Sequence, residues 1–526
     1  MFNSIKEKGY TDTLSCPEGY ELNRIVATTY SLEPQLIYLL ACMFDSDSSE
    51  YIYSDLSIVK TLASFAFGAN VKSIIEKKRL LVFYQQDKFT CKINLSKDKK
   101  FTALLRECCI PVKKEKYAFH PKVILAEYLK EEQILHRLIV SSRNLTTSDL
   151  FETQVVLERE AEKINIDDFD LDKLIAYINT SKWRYTNKDD NVEAQVVFQS
   201  PENANKLASD ILKKDSSIIV LSPFFSGIKN GNLMNAGDAC FYTGVNLHSK
   251  IFCVTADEES ILWIGSANCT VNGLNHNYEC MVGLKFKRDI QDEFKSWLEG
   301  NGFQCKKEPD EVESGEEKLI DKVVKNGAFK CDAEYQDGRY LVNIIVKYDG
   351  EEINELSIGL LGVRQNKPID KSSVNFEGIE KHQLTNALLV KDKENNSRIV
   401  LAEATDEYKE LLASVTDDLS KEKIEQLIPD FVFNYSNDDD SDDDSNDDSV
   451  GDSGNSTNNS GRESVSFSPS DEEYEKILKL YGYNRLDLLK KIKEKLEKNR
   501  DLYNEEKYEV VNQMLEALTR GDDNGI

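Results

Sequence analysis

The 526-residue sequence contains no long hydrophobic run. Its longest apolar stretch, Leu36 to Phe44, is far short of the ~20 residues a membrane-spanning helix needs. The opening residues are polar and mixed in charge, so no signal peptide is expected. The eleven cysteines never form a CxxC pair, which argues against a zinc ribbon. They also lack the dense spacing of a small secreted scaffold and suit a reducing compartment. A Walker loop is absent, so any nucleotide-driven step would need a separate protein. These absences lead us to expect a soluble cytoplasmic chain with no membrane partner, no cofactor and no metal. Excess positive charge is missing too. The formal net charge is −27, from 93 acidic and 66 basic residues, which excludes a general nucleic-acid coat. A nucleic-acid site would have to be a confined basic cleft.

Histidine is scarce as well, with only five in the chain. Two of them, His120 and His248, open the triplets HPK and HSK, and each triplet leads into an apolar run, Val123 to Leu125 and Ile251 to Val254. In a strand, residues i and i+2 face the same way. His120 and Lys122 should therefore share one face, as should His248 and Lys250. After a charged turn, around Lys130 to Gln133 or Asp257 to Glu259, a second apolar run returns, Leu138 to Val140 or Leu262 to Ile264. The returning runs end in SSRN (Ser141 to Asn144) and GSAN (Gly265 to Asn268). A hairpin would bring each Asn back to the start of its HxK unit. The separations are 24 residues from His120 to Asn144 and 20 from His248 to Asn268, a difference that a longer first turn could absorb.

Phosphodiester cleavage needs such a set. One neutral imidazole can attack phosphorus while a protonated one donates to the leaving oxygen. An unperturbed pKa of about 6.5 makes both forms accessible near neutrality. Two Lys and two Asn amides can bind the non-bridging oxygens and stabilise the pentacoordinate state. One HxK alone would carry little weight. Two HxK…SxN units in one chain carry much more.

These units resemble the half-sites of the phospholipase D superfamily. The resemblance covers roughly residues 20–300 and implies two lobes related by a pseudo-twofold axis, with both motifs meeting in one site. It also implies that His120 is the nucleophile, forming a phospho-histidine, and that His248 is the general acid. The family's usual Asp is replaced by Glu127 and Thr255. That departure resembles the tyrosyl-DNA phosphodiesterase branch, as do Ser142, Asn144, Leu145, Asp149 and Thr153–Gln154 in the first unit and Ser266, Ala267, Asn268 and Glu279 in the second. In that branch a Gln follows the first motif and a Glu the second, positions that Gln154 and Glu279 would fill. Bacterial phospholipase D-like nucleases share much of the pattern.

The expected fold is α/β. Phospholipase D-like lobes are expected at 1–165 and 166–305, each an α-β-α layer. Buried strands are read at Arg24–Tyr30, at Leu80–Tyr84 and within Ser217–Phe225, the last ending in a polar-aromatic loop, with a helix from Pro34 to Phe44. A β-rich domain at 306–435 is suggested by short apolar runs at Tyr340–Tyr348, Leu356–Leu361, Ala387–Lys391 and Arg398–Glu403, with a helix near Leu411–Leu427. Residues 436–468 hold nine Asp between Asp438 and Asp452 and read as a disordered linker. Residues 469–526 show helical spacing of apolar residues and read as a helical module.

Lys113, Lys114, Lys116 and Tyr117 precede His120 and could form a phosphate-and-stacking lip for single-stranded DNA, though a solvated loop fits equally. His136, His276 and His382 have no motif around them and read as structural. The expected activity is a metal-independent phosphodiesterase, with DNA cleavage or DNA-end processing in repair or phage defence and an ATPase or helicase partner on the C-terminal parts. The alternatives are a lipid or small-molecule phosphodiesterase and a non-catalytic DNA-binding subunit of a defence complex.

Overall fold

The computed structural model describes residues 10–44, 73–91, 99–113, 116–147, 150–160, 170–186, 192–213, 215–227, 239–244, 246–306, 317–363, 365–369 and 373–421. The expected linker at 436–468 and helical module at 469–526 lie outside them, as do Lys114 and Asp149. The chain divides into two compact units, Met1–Ser49 with Asn70–Leu419, and Glu50–Ala69 with Ser420–Ile526. The architecture below is that of the first unit.

It is a mixed α/β structure with four sheets. The first sheet uses β1 (Glu21–Thr29), β2 (Leu80–Gln85), β3 (Cys109–Val112), β4 (Val123–Lys130), β5 (Gln133–Ser141), β6 (Gln154–Glu160) and β7 (Arg184–Tyr185), ordered β3-β2-β1-β4-β5-β6-β7. The second uses β8 (Glu193–Gln199), β9 (Ser217–Leu221), β10 (Ala239–Thr243), β11 (Ile251–Ala256), β12 (Glu259–Gly265), β13 (Glu279–Phe286) and β14 (Gln304–Lys306), ordered β14-β10-β9-β11-β12-β13-β8. Five consecutive strands match between the sheets in order and in sense. β2 and β10 run parallel to β1 and β9. Every later pair along β1-β4-β5-β6 and β9-β11-β12-β13 is antiparallel.

The central strands β2, β4, β9 and β11 are apolar on both faces because both faces are covered. Along β11, Ile251 and Cys253 enter a core shared by the two sheets, while Phe252 and Val254 enter a core on the other face. That is the two-residue alternation of a strand. The shared core joins Leu125, Leu138, Val140 and Leu157 of the first sheet to Leu221, Leu262, Val282 and Leu284 of the second. Helices Leu171–Thr180 and Gln291–Gly300 pack their apolar residues into it. Asp170 caps the first of these helices, its carboxylate accepting from Lys173 N at 2.8 Å.

The remaining strands, β15 (Ala328–Gln336) to β22 (Glu403–Ala404), form two four-stranded sheets. With helices Leu319–Asn326 and Asp406–Lys421 they enclose a core of their own. The last helix begins five residues earlier than the expected Leu411 because Asp406 to Tyr408 continue its pattern, with Tyr408 fully buried. Strand β9 ends at Leu221 and the polar-aromatic loop follows, since Pro223 cannot extend a ladder. Among the described residues no helix is long and apolar enough to cross a membrane.

Candidate active site

Each HxK triplet lies just before its strand, not within it: β4 starts at Val123 and β11 at Ile251. The reason is that the preceding residue is drawn to the other sheet. Phe119 bridges Tyr278, and Leu247 bridges Phe151. His120 N donates to Tyr278 O at 3.0 Å, and His248 N donates to Phe151 O at 2.9 Å. These two bridges are reciprocal, and each places a histidine beside the glutamate that follows the bridged residue.

His120 Nδ1 lies 2.9 and 3.0 Å from the two carboxylate oxygens of Glu279. His248 Nδ1 lies 3.1 Å from Glu152 Oε1. Each imidazole thus donates Nδ1–H to a carboxylate from the opposite half, a tautomer assigned from these partners. That leaves Nε2 with its lone pair. Glu279 is fully buried, and the Ser266 hydroxyl donates to it. Ser266 Oγ in turn accepts Cys280 N at 2.9 Å. Ser142 repeats the arrangement in the first half, its Oγ accepting Thr153 N at 2.9 Å. Glu152 is also bound by Arg143, at 3.2 Å.

The same pairing identifies a residue the sequence reading missed. Ser141 faces Gln154 in β5–β6, and Gly265 faces Met281 in β12–β13. Gln154 therefore matches Met281, and it is Glu152 that matches Glu279. A signal was present: both glutamates open the pattern E-x-x-V-x-L, at Glu152–Leu157 and at Glu279–Leu284.

Lys122 and Lys250 are buried, and both reach back over their own triplets. Lys122 Nζ lies 2.9 Å from His120 Nε2 and 2.9 Å from His120 O. Lys250 Nζ donates to His248 O. The asparagines close the set. Asn144 Oδ1 accepts Ser31 N at 3.3 Å. Among the described residues Asn268 Oδ1 has no hydrogen-bond partner. The loop facing Asn268 carries Pro223, and its Phe224 N turns to Ser222 Oγ at 3.4 Å instead.

The two hairpins have turns of equal length, not a longer first turn as expected. Lys130 pairs with Gln133 and Ala256 with Glu259, leaving two residues in each turn. The extra residues lie in longer arms, eight in β4 against six in β11, and nine in β5 against seven in β12. Gly265 has no room for a side chain, since a Cβ there would stand 2.2 Å from Cys280 O.

The electrostatics are those of one coupled cluster. Burial lowers His120 to about 4, opposed by Glu279 and reinforced by the charges of Lys122 and Lys250. Burial lowers His248 to about 2, reinforced by Lys250 and Lys122. Each histidine thus feels the lysine of the other half. Burial also lowers Lys122 to about 7 and raises Glu152 to about 7. Lys250 is held well below the usual lysine range, by burial first and Lys122 second. Both imidazoles are therefore neutral in the empty site near pH 7.

Other residues lie apart from this cluster. His136 and Glu127 are buried partners of each other at 3.2 Å, and His136 also bonds Tyr177. Thr255 bonds Ser260 and Asp289. Lys113 and Lys116 are exposed. Tyr117 is stacked on His276, with ring centroids 4.9 Å apart. Tyr30, which the sequence reading also missed, does belong to the cluster: it meets His120 in a T-shaped contact with ring centroids 4.9 Å apart.

Solved structures similar to this chain include the following three. Polyphosphate kinase from Porphyromonas gingivalis is 12% identical with a TM-score of 0.30, over 54% of this chain and 43% of that one. A mutant of yeast tyrosyl-DNA phosphodiesterase is 12% identical with a TM-score of 0.28, over 51% of this chain and 82% of that one. Phosphatidylserine synthase from Haemophilus influenzae is 8% identical with a TM-score of 0.26, over 56% of this chain and 84% of that one. The chain spans less than half the length of the polyphosphate kinase. No protein-family model matches the sequence, and no curated protein does.

Proposed function

We propose that this chain is a phosphodiesterase of the phospholipase D type that cleaves or trims DNA through a phospho-histidine. One observation carries the reading. Two partly buried imidazoles are each gripped at Nδ1 by a carboxylate from the opposite half, with two buried lysines beside them. A structural histidine needs no such reciprocal pair.

In this mechanism the phosphodiester takes the place of Lys122 Nζ beside His120 Nε2. Lys122 and Lys250 move onto the non-bridging oxygens, where the amides of Asn144 and Asn268 also donate. The added anion offsets the lysine charges that depress the imidazoles, so His248 takes up a proton as substrate binds. His120 Nε2 then attacks phosphorus. The N–P bond forms as the P–O bond to the leaving group breaks, and His248 Nε2–H protonates the departing oxygen. Glu279 accepts from Nδ1–H and stabilises the positive charge that develops on His120. In the second step His248 accepts a proton from water, the water oxygen bonds phosphorus, and the N–P bond breaks.

DNA is favoured by the exposed Lys113 and Lys116 beside Tyr117 on the segment leading into His120. We further propose two pseudo-symmetric lobes at 1–165 and 166–305, cytoplasmic action in phage defence or repair, and docking of an ATPase, helicase or other protein partner through the C-terminal parts from 306 onward. The test is incubation with single-stranded, duplex and 3′-tyrosyl DNA in EDTA. Cleavage of at least one is expected, with loss in His120→Asn. Cleavage that stops in EDTA and returns with Mg²⁺ would contradict a metal-free route.

A further inference from the structure

Gln85 closes the end of β2, is buried, and bonds in two directions. Its Oε1 accepts Phe119 N at 2.8 Å, the amide next to His120. Its Nε2 donates to Asp87 Oδ1 at 2.7 Å. Asp87 Oδ2 binds Lys88 Nζ at 2.9 Å, and Lys88 continues to Asp321 Oδ2 at 3.2 Å. Asp321 belongs to helix Leu319–Asn326 of the β-rich part, where Arg398 clamps it at 2.8 Å and also donates to Asp87 O at 3.1 Å. An unbroken polar chain therefore runs from the β-rich part to the backbone amide of Phe119, one residue before His120.

The same loop supports the rest of this half-site. Leu32 N donates to Lys88 O at 3.0 Å, and Thr90 N donates to Leu32 O at 2.9 Å. Leu32 also bridges Leu145, beside Asn144, and lies two residues beyond Tyr30. On its far side the loop is pinned by Ile399 N to Phe89 O at 2.8 Å and by Gln86 Nε2 to Val324 O at 3.2 Å. In the second half, the strand register puts Gly244 where Gln85 stands, so that position offers no side chain to brace the segment before His248.

We propose that Gln85 is a positioning residue for His120, and that the β-rich part, through Asp321 and Arg398, holds the 85–90 loop in the conformation that makes this half-site competent. The proposal rests on the phosphodiesterase reading for its activity arm, but not for its exchange arm. A shift of ~1 Å in a reacting group costs roughly a hundredfold in rate, and the brace fixes the Phe119 amide just before His120.

Five variants of the full chain test it: Gln85→Met, Gln85→Glu, Gln85→Glu with Asp87→Asn, Asp321→Asn, and Gln85→Met with Asp321→Asn. Hydrogen exchange of the 116–122 backbone is read with or without activity. Exchange should rise in Gln85→Met and in Asp321→Asn while the second-half segment 244–250 stays unchanged. With bis(p-nitrophenyl) phosphate, kcat should fall ten- to a hundredfold in both, with KM within about twofold. Gln85→Glu sets two carboxylates together and should be as slow. Adding Asp87→Asn restores a donor to that carboxylate and should recover most of the rate. Combining Gln85→Met with Asp321→Asn should cost little more than Gln85→Met alone, because both cut one chain. Unchanged exchange at 116–122 in Asp321→Asn, or losses that multiply in the double variant, would overturn the proposal. An inactive wild-type chain would sink the phosphodiesterase reading and leave the exchange result to decide the brace.

Discussion

Replacing Glu279 by Gln separates charge from shape at the centre of the site. The side chain is fully buried and holds His120 Nδ1 at 2.9 Å with one oxygen while taking the Ser266 hydroxyl with the other. Attack on phosphorus turns the neutral His120 into a cation. At an effective dielectric of ~20 and ~4 Å between charge centres, the carboxylate is worth ~4 kcal/mol to that cation, or roughly a thousandfold in rate. The amide has a second effect. If its oxygen keeps the Ser266 hydroxyl, its NH₂ faces Nδ1 and selects the tautomer with hydrogen on Nε2, which blocks the nucleophilic lone pair. The expected result is a loss in kcat of a thousandfold or more, with KM little changed. Burst and steady-state release of p-nitrophenol from bis(p-nitrophenyl) phosphate measures it, and circular dichroism checks the fold. A folded variant that retains more than a tenth of the wild-type kcat would refute the assigned role of this carboxylate.

Activity should peak near pH 7. Glu152 is raised to about 7 by burial, so its carboxylate is lost as pH falls through that value, while Lys122 is lowered to about 7 by burial, so its ammonium is lost as pH rises. The log kcat/KM profile should thus drop on both sides, and Glu152→Gln should remove the acid limb; an unchanged acid limb in that variant counts against the assignment. Ser266→Ala removes one hydrogen bond to Glu279 and one acceptor for Cys280 N, and should slow kcat by about five- to thirtyfold, from ~1–2 kcal/mol; a rate equal to wild type would show that Ser266 does not orient the carboxylate. Gly265→Ser copies the residue of the first half into a position where Cβ meets Cys280 O at 2.2 Å, and should cost about 1–3 kcal/mol, read as a clear drop in unfolding midpoint. Deleting residues 436–526 should leave a soluble protein with unchanged aryl phosphodiesterase rate; aggregation of the truncated chain would place the boundary elsewhere.

The strands and the candidate site differ in how far they could be read from the sequence. Continuous apolar runs such as Leu80–Tyr84 and Ala387–Lys391 were legible because burial on both faces leaves no polar interruption, and they became β2 and β20 (Ala387–Lys391). His120, Lys122, His248 and Lys250 stood out because HxK recurs beside recurring strands. Glu152 did not, because its partner His248 is 96 residues away and the attraction is created only when the bridge of Phe151 to Leu247 forms. Gln85 and Tyr30 were illegible for the same reason: nothing near them in the chain marks them. The turn lengths were misread because four extra residues look alike in a turn and in two strand arms until pairing is known. Arg143 and Ala267 occupy matching places in SSRN and GSAN, but only the folded chain reveals that Arg143 reaches Glu152.

The most direct measurement is the intact mass of the protein after reaction with an activated aryl phosphodiester. Wild type and His248→Asn should each show a phosphoryl-aryl adduct. It should persist in His248→Asn, since the group that activates water for the second step is gone. His120→Asn should show no adduct. An adduct mapped to His248 in His120→Asn would reverse the two roles, and both variants active without any adduct would contradict the covalent mechanism.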